Sequence, residues 1–149
     1  MDYNKKRHLK LLKRLLYSKK LNKNFYQENP EDYSELCKYE IIIYDHIFWT
    51  RRKDFVLLME NFIDNIIDFE EFETAFSLLF RKTTKEYNTF KIDLKQIDKF
   101  QPSTRSYRFA SFIGSIFRQF EEVEDEYCTE RDVKDFVTEV YLKFQNFEE

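Results

Sequence analysis

The chain has 149 residues and a net charge of −3, and its composition is 42% hydrophobic, 19% aromatic and 36% charged. Apolar residues are numerous enough to build the core of a single folded, soluble domain, which excludes a wholly disordered chain. One Gly and two Pro leave little material for hairpin turns or for glycine loops that hold phosphate groups, so we predict an all-α fold.

A basic amphipathic helix is predicted at the start of the chain, in the segment HLKLLKRLLYSKK. Its leucines fall on one arc. The opposite arc forms a basic surface that consists of Lys6, Arg7, Lys10, Lys13 and Arg14. Two interpretations are open: this surface contacts RNA or an anionic membrane, or the leucine stripe docks on the rest of the protein while the lysines face solvent.

Three helices are predicted in the middle of the chain. Asn29 and Pro30 form a helix start, so the second helix spans about residues 30–48. A third helix is predicted at about residues 52–64, either separate from the second or continuous with it. Asp68 opens the next helix with Glu71 at the capping-box spacing. Its apolar face consists of Phe69, Phe72, Phe76, Leu79 and Phe80.

The rest of the chain is predicted to contain a connector and two further helices. Residues 91–103 form the connector, which has one helical turn and ends at Pro102 because the residue before a proline avoids helical angles. A helix at residues 107–120 follows. Thr129 then caps the last helix, with Asp132 three positions further on.

These elements predict a four-helix bundle at about residues 52–147, preceded by one or two additional helices. In terms of domains, residues 1–51 are predicted to be an extension packed on a bundle of residues 52–149. Gly114 is the single glycine and lies inside a helical pattern, where we interpret it as relief for close packing.

The residue types needed for catalysis or metal binding are sparse. His8 and His46 are the two histidines, and neither has a second ligand at helical spacing. Cys37 and Cys128 are far apart, and no local signature pairs either thiol with a base. We therefore expect no enzymatic activity, no metal, no cofactor and no small-molecule substrate.

Cysteine content and hydropathy predict the location of the protein. Two distant cysteines are typical of a reducing compartment. No apolar run reaches the roughly 20 residues that span a bilayer, and the first residues lack the features of a secretory signal. The bias toward Phe, Tyr, Lys, Asn and Ile is typical of AT-rich genomes in low-GC bacteria or organelles such as plastids. We expect a cytoplasmic protein, or one of the stroma or matrix if an organelle encodes it.

The most acidic stretch of the chain is FEEVEDEYCTERD, residues 120–132, in which five carboxylates occupy six consecutive positions. Neighbouring carboxylates repel one another and lower the stability of an isolated protein. Such a cluster is therefore either tolerated as a solvated loop or retained because a basic partner neutralises it.

Three segments carry a resemblance to a known family: LLMENFIDNIIDFEEFETAF, FASFIGSIFRQFEEVEDEY and DVKDFVTEVYLKF. Together they resemble the colicin D immunity proteins. The resemblance implies a compact four-helix bundle that binds the catalytic domain of a tRNA-cleaving toxin and covers its basic active site, with carboxylates that mimic the RNA backbone. On this chain, the residues implied to bind the partner are Glu121, Glu122, Glu124, Asp125, Glu126, Asp132 and Asp135.

The leading hypothesis is thus a non-enzymatic binding protein of the immunity type, which sequesters a basic nuclease or another basic macromolecule through an acidic face. The alternative comes from the basic helix. It is a small structural or accessory subunit of a larger assembly, organellar if an organelle encodes the protein, attached by that helix to RNA or to an anionic membrane.

Overall fold

The computed structural model describes residues 2–103 and 108–145, which form eight helices and no strand. The prediction of an all-α fold is confirmed. The helices are α1 (Lys5–Lys20), α2 (Phe25–Glu28), α3 (Pro30–Thr50), α4 (Arg52–Ile63), α5 (Phe69–Phe90), α6 (Leu94–Lys99), α7 (Phe109–Glu124) and α8 (Glu130–Phe144).

The capping residues set several helix starts where the sequence predicts them. In α5, the Asp68 carboxylate accepts a hydrogen bond from the Glu71 backbone N–H at 2.8 Å, and the Glu71 carboxylate accepts one from the Asp68 N–H. Thr129 and Asp132 form the equivalent reciprocal pair at the start of α8. Both capping boxes satisfy backbone donors that a helix start leaves unpaired.

Helices α4, α5, α7 and α8 pack into a ring in which each helix contacts two neighbours, and the last half of α3 packs against α5 and α7. The buried side chains between them form one hydrophobic cluster, called here the main core. Aromatic pairs dominate it: the ring centroids of Phe62 and Phe72 lie 4.3 Å apart, and those of Phe80 and Phe117 lie 4.2 Å apart. Burial of each large side chain contributes about 1.5–3 kcal/mol.

Helices α1 and α2 pack on α3 and on each other, and α6 packs on α1; with the part of α3 that they contact, they form the N-terminal lobe. Leu12 of α1, Ile43 of α3 and Ile97 of α6 are fully buried in one small hydrophobic cluster. Leu11 packs in a second cluster with α3. The leucine stripe of the basic helix therefore docks on the protein, as one of the two interpretations expects.

The division of the chain at residues 51 and 52 stays a prediction, but one hydrophobic cluster extends across that boundary. Phe48 and Trp49 lie at the end of α3, before the boundary, and both are buried in the main core. Trp49 packs edge-on against Phe109 with 5.6 Å between ring centroids. Arg51 separates α3 from α4, so the second and third predicted helices are distinct.

Some local features differ from the predictions. Residues 25–28 lie between the first two predicted helices and form the short helix α2, with Asn24 as its cap. Helix α7 is described from Phe109, and the predicted start at Tyr107 lies outside the described residues. The interpretation of Gly114 was wrong, because a Cβ atom added there would meet no atom within 4 Å.

His8 is the buried polar residue that joins the parts of the N-terminal lobe. Its side chain is fully buried, and its Nδ1 atom lies 2.8 Å from the Tyr3 hydroxyl. The ring stacks on Tyr39 of α3 with centroids 5.1 Å apart. Burial lowers the pKa of His8 to about 4, so the imidazole is neutral at pH 7.

Candidate functional site

The predicted acidic residues lie on the surface at the end of α7. Glu121, Glu122 and Glu124 occupy its last turn, Asp125 follows as the C-cap, and Glu126 begins the turn toward α8. All five side chains are exposed. The run is therefore presented to solvent as one continuous surface.

The backbone at the end of α7 closes in a Schellman motif. The N–H of Tyr127 donates to the carbonyl of Glu122 at 2.8 Å, and the N–H of Glu126 donates to the carbonyl of Val123 at 3.1 Å. The motif places Glu126 in the left-handed region, with a φ of 63°. Tyr127 follows it with 83% of its surface exposed, so an aromatic side chain stands beside the acidic run.

The same motif closes α1 and α4, and there the left-handed residue is an asparagine. Asn22 has a φ of 54° and Asn65 a φ of 59°, with equivalent hydrogen bonds. Asn adopts this conformation readily because its short polar side chain bonds locally, whereas Glu is disfavoured there. Glu126 is thus an acidic residue at a position where local backbone energy favours Asn or Gly.

Helix electrostatics also disfavour the acidic run. The C-terminal end of a helix carries a partial negative charge, which favours cations in the last turn. The last turn of α7 contains no basic residue, and it contains Glu121, Glu122 and Glu124 instead. The acids in the first turns of α5 and α8 lie at positive helix ends and are favourable there.

Carboxylates of two other helices lie close to the acidic run. Burial raises the pKa of Glu73 in α5, and the nearby charges of Glu124, Glu70 and Glu130 raise it further. We call the combined surface the acidic end of the molecule. It consists of Glu70, Glu73, Glu121, Glu122, Glu124, Asp125, Glu126 and Glu130.

Sequence reasoning missed Glu70, Glu73 and Glu130 as members of this surface. An antiparallel order of the helices would have predicted them, because it brings the first turns of α5 and α8 to the end of the bundle where α7 stops.

Two arginines partly offset the negative charge of the acidic end. Arg81 and Arg118 line a groove of about 330 Å³ together with Glu73, Glu121 and Glu124.

Asp132 and Asp135, the other predicted partner-binding residues, have different surroundings. The hydrogen bonds from Thr129 lower the pKa of Asp132, whose carboxylate is occupied in the capping box. Asp135 is exposed and lines a separate groove with Lys134. Lys134 donates to the Asn65 side chain and lies 5.3 Å from the centroid of the Phe62 ring. Asp132 therefore has a structural role, and Asp135 lies in a groove of mixed charge that contains Asp68 and Glu130 as well as Arg131 and Lys134.

The predicted basic surface divides into two sets. Arg7 donates to the carboxylates of Glu35 at 2.7 Å and Asp32 at 3.1 Å, and Arg14 contacts Asp32 at 2.5 Å. These ion pairs connect α1 to α3, so both arginines are engaged with α3 while their side chains stay 33% and 41% exposed. Lys6, Lys10 and Lys13 are exposed, as predicted.

The two cysteines and the possible metal ligands are the remaining candidate residues. Burial raises the pKa of the Cys128 thiol, and its sulfur lies 3.8 Å from the Gln119 carbonyl oxygen. Cys37 is a free, partly buried thiol. Among residues 2–103 and 108–145, no group of three or more His, Cys, Asp or Glu side chains is placed to hold a metal ion.

Comparisons with known proteins add no family assignment. No protein-family model matches the sequence, and neither a curated protein nor a solved structure is significantly similar to it. Within the part of the chain that the structure describes, none of the helices combines the length and apolar character needed to cross a bilayer.

Proposed function

We propose that this chain is a non-enzymatic binding protein of the immunity type, which sequesters a basic protein through its acidic end. The partner favoured by the resemblance to colicin D immunity proteins is the basic active site of a tRNA-cleaving nuclease. The observation that carries the proposal is the exposed carboxylate run at the end of α7, where helix electrostatics disfavour negative charge.

The cost of the acidic end supports a role in binding. Glu121, Glu122 and Glu124 oppose the helix dipole, and Glu126 occupies a left-handed backbone position. Neither feature is required to build α7, because α4 ends in the same motif with Asn65. Residues that lower the stability of the free protein are commonly retained where a partner neutralises or contacts them.

The acidic end combines two properties of protein-binding surfaces. Its carboxylates produce a negative field that attracts a basic partner and accelerates the encounter. Tyr127 adds an exposed aromatic side chain beside the charges, and tyrosine is enriched among the residues that dominate binding energy at interfaces. A nuclease site that binds RNA phosphates through Lys and Arg would meet carboxylates in their place.

Charge reversal tests the proposal. The variant E121K/E124K/E126K is compared with E28K/E31K/D98K, which reverses three exposed acids of the N-terminal lobe and changes the net charge equally. Both variants and the wild-type chain serve as bait in pull-downs from the native source, and captured proteins are identified by mass spectrometry. Association rates with the captured partner are then measured at several salt concentrations.

We expect the acidic-end variant to lose a basic partner that the wild type and the control variant both capture. Its association should slow by about tenfold or more, because steering by opposite fields changes association rates by several orders of magnitude. Capture of the same partners by all three baits, at equal rates, would contradict the proposal. Equal loss in both triple variants would indicate an effect of net charge alone.

A further inference from the structure

A second surface, in the N-terminal lobe, has chemistry opposite to that of the acidic end. A groove of about 700 Å³ lies between the end of α1, helix α2 and the first turn of α3. Its lining includes Lys19 and Lys23, the tyrosines Tyr26 and Tyr33, and no acidic residue among those that the structure describes. The groove is therefore basic and aromatic.

The two tyrosines form an exposed aromatic pair. Their ring centroids lie 5.1 Å apart at an interplanar angle of 72°, and 58% of Tyr26 and 37% of Tyr33 remain exposed. Interaction with Cys37, one turn further along α3, raises the pKa of the Tyr33 hydroxyl. Exposed aromatic rings can stack on planar groups such as nucleobases.

The lysines of the groove differ from the arginines of α1 in their surroundings. Arg7 and Arg14 are engaged with carboxylates of α3, whereas Lys19 and Lys23 are exposed. The negative end of the α1 dipole explains a lysine at position 19, but Lys23 lies beyond the helix. Hydrogen bonds between Ser18 and the Lys23 backbone, at 3.0 and 3.3 Å, fix that residue at the groove.

We propose that this groove binds single-stranded nucleic acid, with phosphates at Lys19 and Lys23 and a base stacked on the pair Tyr26 and Tyr33. A positively charged groove with exposed aromatic rings is the general arrangement for single-strand binding. A membrane is disfavoured because interfacial binding requires an apolar helix face, and Leu11 and Leu12 of α1 are fully buried inside the lobe. The proposal is independent of the acidic end.

Filter binding with a labelled oligouridylate of about 12 nucleotides, a length that covers a typical single-strand site, tests this inference on the full chain. We expect binding that weakens with salt, and about a tenfold loss of affinity in K19Q/K23Q with a shallower salt dependence. Loss of stacking in Y26A/Y33A should weaken binding by about 5- to 100-fold, whereas Y26F/Y33F keeps both rings and should bind normally. The melting curve of each variant, followed by circular dichroism, verifies its fold.

Matched controls make the result decisive. K6Q/K10Q removes two exposed lysines from the other end of α1 and should leave affinity nearly unchanged. If Y26A/Y33A does not fold, Y26A alone replaces it, because Tyr26 is the more exposed ring. Equal losses in the two lysine pairs, no binding to the oligonucleotide at low salt, or binding to phosphatidylglycerol vesicles in its place would each overturn the proposal.

Discussion

The N-terminal lobe and the acidic end use charged residues in different ways. In the N-terminal lobe, Arg7 and Arg14 pair with Asp32 and Glu35, so opposite charges connect two helices. At the acidic end, burial and the neighbouring carboxylates raise the pKa of Glu73. The charges of the lobe connect its helices, whereas Glu121, Glu122 and Glu124 oppose the dipole of the helix that carries them.

This difference shows that charged clusters in a sequence can have different structural roles. The sequence predicts a binding role for all five residues of the basic surface, yet two of them, Arg7 and Arg14, form ion pairs with α3. Among residues 2–103 and 108–145, no ion pair involves the acidic run, and helix α7 would be more stable without that run. A charged residue is a candidate for partner binding when the fold neither pairs it nor benefits from its charge.

The largest expected effect comes from Trp49, which joins the end of α3 to the main core. Trp49→Ala should lower the free energy of unfolding by about 3–5 kcal/mol, because it leaves a large cavity among packed aromatic rings. Urea unfolding followed by circular dichroism measures it. Ile41→Ala, at a 61% exposed position of the same helix, is the control and should change stability by less than about 0.5 kcal/mol. Similar losses in the two variants would mean that the end of α3 is not part of the main core.

A second prediction concerns pH and the N-terminal lobe. The folded-state pKa of His8 is about 4, below its ordinary value, so the unfolded chain takes up a proton first as the pH falls. The free energy of unfolding is therefore unaffected by His8 above pH 6.5 and falls by up to about 3 kcal/mol between pH 6.5 and pH 4. The groups that face His8 are Tyr3 and Tyr39, whose raised pKa values keep them neutral throughout this range.

Urea unfolding at a series of pH values, in the wild type and in His8→Gln, isolates this contribution. All other titratable groups are common to the two proteins, so their contributions cancel in the difference between the two curves. We expect the variant to lose less stability on acidification than the wild type. Parallel curves would show that His8 does not remain neutral inside the lobe.

A third prediction exchanges the residues at two matching helix ends. Glu126→Asn should raise the free energy of unfolding by about 1 kcal/mol, because Asn tolerates the left-handed backbone and removes a charge from the negative end of α7. Asn65→Glu should lower it by a similar amount. Glu126→Gln removes the charge without the backbone preference and separates the two causes. If Glu126→Asn is no more stable than the wild type, the acidic end carries no backbone cost.

The smallest expected effect is at Gly114. Gly114→Ala should stabilise the chain by about 0.5–1 kcal/mol, because alanine favours the helix and the added Cβ atom meets no neighbour within 4 Å. The change lies in α7 but outside the acidic run, so it stabilises the same helix without altering the charged surface. Thermal melts provide the measurement, and a lower melting temperature would indicate that α7 needs flexibility at this position.

The features that could be predicted from the sequence are those that depend on residues close together along the chain. The capping pairs Asp68 with Glu71 and Thr129 with Asp132 formed as expected, because each depends on a spacing of three residues within one helix start. The apolar stripe of α1 is similarly local: Leu11 and Leu12 are buried, and the other leucines of the stripe are partly buried. Such features need no knowledge of how the helices pack.

The features that escaped prediction depend on contacts between distant segments. The partner of Arg7, Glu35, lies 28 positions away and on another helix. Glu70 and Glu73 join the acidic end because α5 and α7 run in opposite directions. Helix α5 continues to Phe90, past the last predicted apolar position, because Tyr87 and Phe90 pack against the hydrophobic cluster of the N-terminal lobe.

The position of Trp49 gives this protein a built-in optical reporter. It is the single tryptophan of the chain, it is 1% exposed, and it lies where α3 passes from the N-terminal lobe into the main core. The Arg52 guanidinium lies 4.5 Å from the centre of its ring. An indole in such apolar surroundings emits at shorter wavelength than one in water, so a red shift in its fluorescence reports that this junction has opened. Separation of the N-terminal lobe from the main core can thus be followed without any attached label.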